Sequence, residues 1–299
     1  MQELDPRTRQ AWKWYNDSMT VDHLSYSSLS SYKSCPRSYY LSRIKRAEQV
    51  PAWYFAVGTA VHKYIECLLK SPAYLGPSAG SIPRSVEDLF YDEVNRLMAI
   101  EPDTSLWLHG GPKEEPVIEE RALALSIACA EKAEDFLEEV EVWEVEPDIT
   151  GHLPGCSLPI KAFPDLLGEH KKHGPVIVDW KTGKSKPKDN LQLETYNALL
   201  KHSNRRDYSD GQGYVFDGLW VMLNPEAPKA RPVQLVKTPE EMGAMYHEVE
   251  LKIQQGVFPA LPQFNCKFCT QLLNCRTMSG ATPRTSYYDT PEKDGVIPF

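Results

Sequence analysis

Two short segments carry residue types that can do chemistry together: Pro164-Asp165 and Asp179-Trp180-Lys181. Both acids fall near the ends of stretches that read as neighbouring strands, and a hairpin brings such positions within several ångströms of each other. Two carboxylates that close repel unless a proton or a cation sits between them. Oxygen ligands of this kind suit Mg²⁺ or Mn²⁺. Lys181 lies two residues past Asp179, so a strand points both to one face. A Lewis acid, a nucleophilic water and a positive group near the developing charge are the minimum for phosphodiester hydrolysis. Asp-x-Lys by itself is common in exposed turns and surface ion pairs, so other residues must add weight.

Gln192 and Tyr196 do so. They lie four apart in LQLETYNALL, hence on one face of a helix that directly follows the Asp179 strand. Such a pair can hydrogen-bond a phosphate or base and stack on a nucleotide. His62 stands in the helical segment FAVGTAVHKYIECLL, with Gly58 before it and Glu66 one turn later. A nitrogen ligand from His62 would tilt the same cation site towards Mn²⁺. Gly183-Lys184-Ser185 resembles the end of a phosphate-binding loop, but that loop needs a glycine where this chain has Val178.

The cysteines pose a second question. The chain has seven, an odd count in a sequence whose N-terminus is too polar for a secretory signal, which argues against a disulfide framework and for a reducing cytoplasm. Cys266, Cys269 and Cys275 cluster near the C-terminus, and Cys35-Pro36 lies near the N-terminus. Four thiolates are the usual ligand count for an iron–sulfur cluster or a structural zinc. One short pair, one wider step and one distant partner favour 4Fe–4S over zinc, which usually takes two short pairs. Such a cluster would staple the two ends of the chain across a very long loop, worth about 5 kcal/mol at the upper end of a chain-entropy estimate. Cys67, Cys129 and Cys156 read as small buried hydrophobes.

The net charge of -8 at first argues against nucleic acid, but net charge governs solubility and steering rather than what one cleft binds. Seven lysines fall between Lys161 and Lys188, and Arg37, Arg43, Lys45 and Arg46 form another basic run. No apolar run is long enough to span a membrane.

The elements that must position these residues follow from periodicity. Residues 24–46 read as two short helices, with Ser25 or Ser27 as cap and Pro36 in the first turn of the second. Helices follow at 57–70, near 84–99 and near 117–140, with a loop at 71–83. A strand is expected at 142–147, a hairpin from 157–168 and 175–181 with EHKKHG as its loop, a helix at 190–202, strands at 215–223 and 232–237, and a helix at 239–256. This order predicts an α/β fold with a mixed sheet and flanking helices. Beyond Arg276 no periodicity remains.

Taken in order, SYSSLSSYKSCPRSYYL, GTAVHKYIE, FPDLLGE, PVIVDWKTGK, QLETY and the cysteine cluster resemble RecB-type PD-(D/E)XK nucleases. They look especially like the CRISPR-associated RecB-like exonucleases and their phage-encoded relatives. The resemblance spans residues 25 to 275. It implies a restriction-endonuclease-like core, with His62, Asp165, Asp179 and the Trp180 carbonyl binding the cation and Lys181 as catalytic lysine. Gln192 and Tyr196 match the motif that follows. Cys35, Cys266, Cys269 and Cys275 would hold a 4Fe–4S cluster. KAFPD departs from the family's habit of a glycine shortly before the first acid. The corresponding layout is an extension (1–23), a helical subdomain carrying Cys35 and His62 (24–140), the nuclease core (141–257), a cysteine segment (258–276) and a tail (277–299). The implied function is a metal-dependent DNA exonuclease acting on single strands or free ends. It would work in the cytoplasm, a host's if phage-encoded, beside recombination, replication or CRISPR-adaptation proteins. An adaptor with vestigial catalysis and a structure-specific endonuclease are the alternatives.

Overall fold

A computed structural model describes residues 21–75, 83–109, 115–202, 215–228 and 232–275. The expected tail, nearly all of the N-terminal extension and much of the 71–83 loop lie outside the described residues.

The chain opens with α1 (Tyr26–Ser34) and α2 (Pro36–Tyr39), which runs on into a π-helical turn over Tyr40–Ile44. Ser25 caps α1 by accepting the Ser28 N–H at 3.2 Å. Pro36 occupies the first turn of α2, where its missing N–H costs no hydrogen bond. Next come α3 (Trp53–Leu69), the single turn α4 (Pro72–Leu75), α5 (Val86–Met98, capped by Ser85) and α6 (Glu115–Leu137). The sheet is built from β1 (Val140–Val145), β2 (Leu166–His170), β3 (Gly174–Lys181), β4 (Asp217–Met222) and β5 (Pro232–Gln234). Helix α7 (Leu191–His202) connects β3 to β4, and α8 (Pro239–Gln254) follows β5 behind a Thr238–Glu241 capping box. Turns at Phe264–Phe268 and Leu272–Asn274 carry the last cysteines.

The strands lie in sequence order, antiparallel except for the parallel β3–β4 pair that α7 bridges. The expected mixed α/β architecture is therefore what the chain adopts. Alternating residues divide the interior. Leu166, Val176, Val178, Trp180, Leu219 and Val221 pack against α3, α5 and α6. Leu167, Ile177, Trp220 and Met222 pack against α1, α7 and α8. Because β3 is covered on both faces, its sequence is almost continuously apolar. No helix among the described residues is long and apolar enough to cross a membrane.

Three of the departures from the expected boundaries have a physical cause in the structure. The first arm of the hairpin is β2, beginning at Leu166, not 157–168, and the stretch before it makes only isolated bridges through Ile160. Pro159 and Pro164 cannot donate to a ladder, so no regular strand forms there. Half of the polar EHKKHG loop is strand: Glu169, His170 and Gly174 join the ladder, and His170 pairs with Gly174 around a three-residue turn. Strand β5 stops at Gln234, because the buried Glu194 carboxylate of α7 takes the next amides, Val236 N–H at 3.0 Å and Lys237 N–H at 3.1 Å. The β1–β2 register shifts between Val142 and Glu144. Opposite, a Cβ on Gly168 would collide with the Glu141 carbonyl and come within 2.9 Å of Val140 Cγ1.

Candidate functional site

Register decides where the acids meet. Leu166 pairs with Val178, so the next positions outward on the two antiparallel strands are Asp165 and Asp179. Asp165 Oδ2 accepts the Trp180 N–H at 2.7 Å, which ties the carboxylate to the partner strand. Asp179 is 2% exposed. On its face of β3, Lys181 pairs its Nζ with Asp179 Oδ2. The ammonium also donates to Gln192 Oε1 at 3.1 Å and lies 5.0 Å from the centre of the Trp220 ring. Gln192 Nε2 donates to the Tyr196 hydroxyl at 2.8 Å. The parallel crossover thus delivers the face of α7 expected from its spacing against the end of β3. His62, on α3, comes from the opposite layer, its Nδ1 3.3 Å from Asp165 Oδ1.

The electrostatics follow from this packing. Burial, with Asp165 beside it, pushes the Asp179 carboxyl up to about 6 against the pull of Lys181 and His62. Burial opposes protonation of His62, but its hydrogen bond to Asp165 and the two carboxylate charges prevail and raise its pKa. Burial, then the Asp179 charge, raises that of Tyr196. Asp179 Oδ2 accepts no well-formed hydrogen bond in the described structure despite its contact with Lys181. A buried carboxylate oxygen with spare acceptor capacity, next to a second carboxylate and an imidazole, is a donor set suited to a hard divalent cation. Among the described residues, no three His, Cys, Asp or Glu side chains have converged as a ligand set for a single ion. In their place the Lys181 ammonium and the Trp180 N–H answer the two carboxylates. The Trp180 ring points into the core, edge-on to Phe136.

Other expectations divide. Glu66 does not join His62; it pairs with Lys63 at 2.6 Å and Lys70 at 2.8 Å. Gly58 is not required by a close backbone approach, since a Cβ there would meet nothing nearer than Thr182 Oγ1 at 3.8 Å. The seven lysines do not form one patch: Lys171 and Lys172 sit at the β2–β3 turn, at the other end of the sheet from the acids. Lys184 is paired with Glu226. Tyr26 was not foreseen. Burial, then the charge of Asp189 and more weakly that of Asp179, raises its phenol, and α1 packs against α7. Nothing periodic in the sequence marks that contact.

The cysteines form a separate recess. Cys35, Cys266, Cys269 and Cys275 line one pocket together with Ser38, Leu41 and Leu272, and all four thiols are free. Hydrogen bonds bring the segments together: Arg37 N–H to Pro259 O at 3.1 Å, Val50 N–H to Thr270 O at 3.0 Å and Asn274 Nδ2 to Glu48 O at 2.8 Å. Phe258 packs among Tyr32, Tyr39 and Tyr40. Of the remaining thiols Cys129 is buried, whereas Cys67 and Cys156 are only partly so.

The sequence pattern of the PD-(D/E)XK nuclease superfamily matches residues 23–276. The chain is also 25% identical over 282 residues to the Gene 69 protein of Mycobacterium phage L5, covering 84% of this chain and 95% of that protein. A match that runs through the N-terminal helices, the sheet and the cysteine segment alike, rather than through one motif, places the described chain in a single family: it belongs to the PD-(D/E)XK nuclease superfamily.

Proposed function

We propose that the protein is a divalent-metal-dependent DNA exonuclease of RecB-like type, acting on single strands or free ends. The observation that carries this reading is the meeting of Asp165 and Asp179 across the β2–β3 register, with Lys181 held beside them by Gln192. His62, Asp165, Asp179 and the Trp180 carbonyl are the proposed holders of Mg²⁺ or Mn²⁺. When bound, that ion supplies Lewis acidity at the scissile phosphate and a lowered water pKa. The chain's own contributions are positional. Lys181, anchored at Gln192, orients the attacking water and faces the charge that develops on phosphorus oxygens. Tyr196 holds Gln192 in place and, with it, guides the strand. Burial of Asp179 excludes bulk water from its side of the site.

The cysteine recess supports a 4Fe–4S cluster held by Cys35, Cys266, Cys269 and Cys275. A four-iron cluster takes one thiolate per iron, which tolerates wider sulfur spacing than a single zinc with four bonds of about 2.3 Å. All four thiols line one pocket, which is the observation that supports this reading. The cluster's role is to staple the N-terminal helices to the cysteine segment (258–276), leaving a nuclease core over 141–257. The setting we propose is the cytoplasm, a host's for a phage-borne chain, alongside proteins of recombination, replication or CRISPR adaptation.

Anaerobic purification followed by an absorption spectrum and a cleavage assay with and without Mn²⁺ tests both halves. The expected result is a brown protein that degrades linear single-stranded DNA only with metal and spares covalently closed circles. Cleavage of circles would replace the exonuclease with an endonuclease, and no metal-dependent cleavage would leave an adaptor.

A further inference from the structure

Immediately before Asp165 the chain forms a ribbon whose burial alternates. Ile160, Ala162 and Pro164 are buried, while Lys161 and Phe163 are exposed and Asp165 is half-buried. The ribbon is hydrogen-bonded along both edges: Lys161 N–H to Leu24 O at 2.7 Å on one side, Ile149 N–H to Ala162 O at 3.1 Å on the other. Pro164 biases Phe163 towards extended backbone. With both edges occupied and the even residues in the core, Lys161, Phe163 and Asp165 share the outward side. Phe163 is 44% exposed and makes no ring–ring contact among the described residues. In extended chain, residues two apart are separated by about 7 Å, the reach of one nucleotide step. The order along the ribbon is therefore cation, aromatic ring, candidate metal-binding carboxylate.

We infer that this rail reads single-stranded nucleic acid, with an unstacked base lying on Phe163 between the phosphate at Asp165 and the phosphate two steps along at Lys161. The inference rests on the nuclease reading and sharpens it by naming the substrate as a strand with a base free to stack. Every base has a π-face, so Phe163 contributes affinity without sequence preference. A duplex end keeps its bases paired, so it loses this contact until it frays.

The test is an abasic scan. Oligonucleotides of identical sequence, each lacking one base at a successive position, are assayed for cleavage with Mn²⁺ and for binding to the Asp179→Asn protein. One position close to the scissile phosphate should raise KM and weaken binding about tenfold, with kcat little changed. Phe163→Ala should bind the intact strand about tenfold more weakly and lose that position-specific sensitivity, while Phe163→Trp restores it. Cleavage that is equally indifferent to every missing base in the unmutated chain overturns the rail and leaves the nuclease reading standing. Absence of both cleavage and binding overturns the two together. Because the unmutated chain already reports the position-specific effect, poor folding of Phe163→Ala would not blunt the result.

Discussion

The acid site and the cysteine recess are assembled in opposite ways. Asp165, Asp179 and Lys181 are placed by a β-ladder whose register forces the carboxylates together even though they repel. The recess gathers Cys35 with three thiols from the far end of the chain, using short helical turns and a few hydrogen bonds between loops. A ladder forms with the fold and tolerates loss of any one side chain at its end. The recess is closed across most of the chain by loop hydrogen bonds and the packing of Phe258 on Tyr32, Tyr39 and Tyr40, and the proposed cluster would add a cross-link to these. The site should therefore lose function without losing stability, and the recess should lose both.

The largest effect that sharpens this contrast is Asp179→Ala, expected to lower cleavage by about 10³-fold or more. Circular dichroism should stay that of the parent, and the melting temperature should not fall below the parent's. A collapse in melting temperature would mean that the acid is structural and would erase the distinction. Next is Cys266→Ala, expected to cost up to about 5 kcal/mol in denaturant unfolding and to weaken DNA binding in step. Unchanged melting with full activity would reject the staple. The third concerns pH. Asp179 has a folded pKa of about 6, raised above its ordinary value of 3.8, so the metal-free fold binds that proton more tightly than the unfolded chain. Its contribution is present below about 4 and is lost as pH rises through about 6. Melting of the metal-free protein should fall across that window, Asp179→Asn should flatten the slope, and Mn²⁺ should restore stability at neutral pH. A slope that survives in Asp179→Asn assigns it to another group. The smallest is Gln192→Ala, which removes the anchor of Lys181 and should lower kcat about tenfold without moving the melting temperature.

Much of this arrangement was legible because it is periodic. Apolar spacing located α3, α5, α6 and α8, and the mostly apolar stretch 175–181 read as the strand that became β3. Asp179 and Lys181 sharing a face follows from a period of two, and Gln192 with Tyr196 from a helical turn. What was misread depends on partners rather than on pattern. The segment before Asp165 looked like a strand by composition, yet its prolines leave it to isolated bridges. Half of the polar hairpin loop turned out to be paired strand, since Glu169 joins the ladders to both β1 and β3 through its backbone and needs no apolar side chain to do so. The end of β5 is set by the Glu194 carboxylate, and the approach of Tyr26 to Asp179 by packing of α1 on α7. Contacts of that kind leave no local signature.

Gly168 does no chemistry, yet it governs where chemistry can occur. Strand β2 is five residues long and starts directly after Asp165, so it has no slack to absorb a displacement. A methyl group at residue 168 must push against the β1 backbone, and the shove travels down a few peptide units to the first acid. A bulkier residue at this remote, chemically silent position should misalign the carboxylate pair while leaving every functional side chain present. The space at residue 168 thus sets an ångström tolerance for the start of the strand, and screens that score only the reactive residues would overlook it.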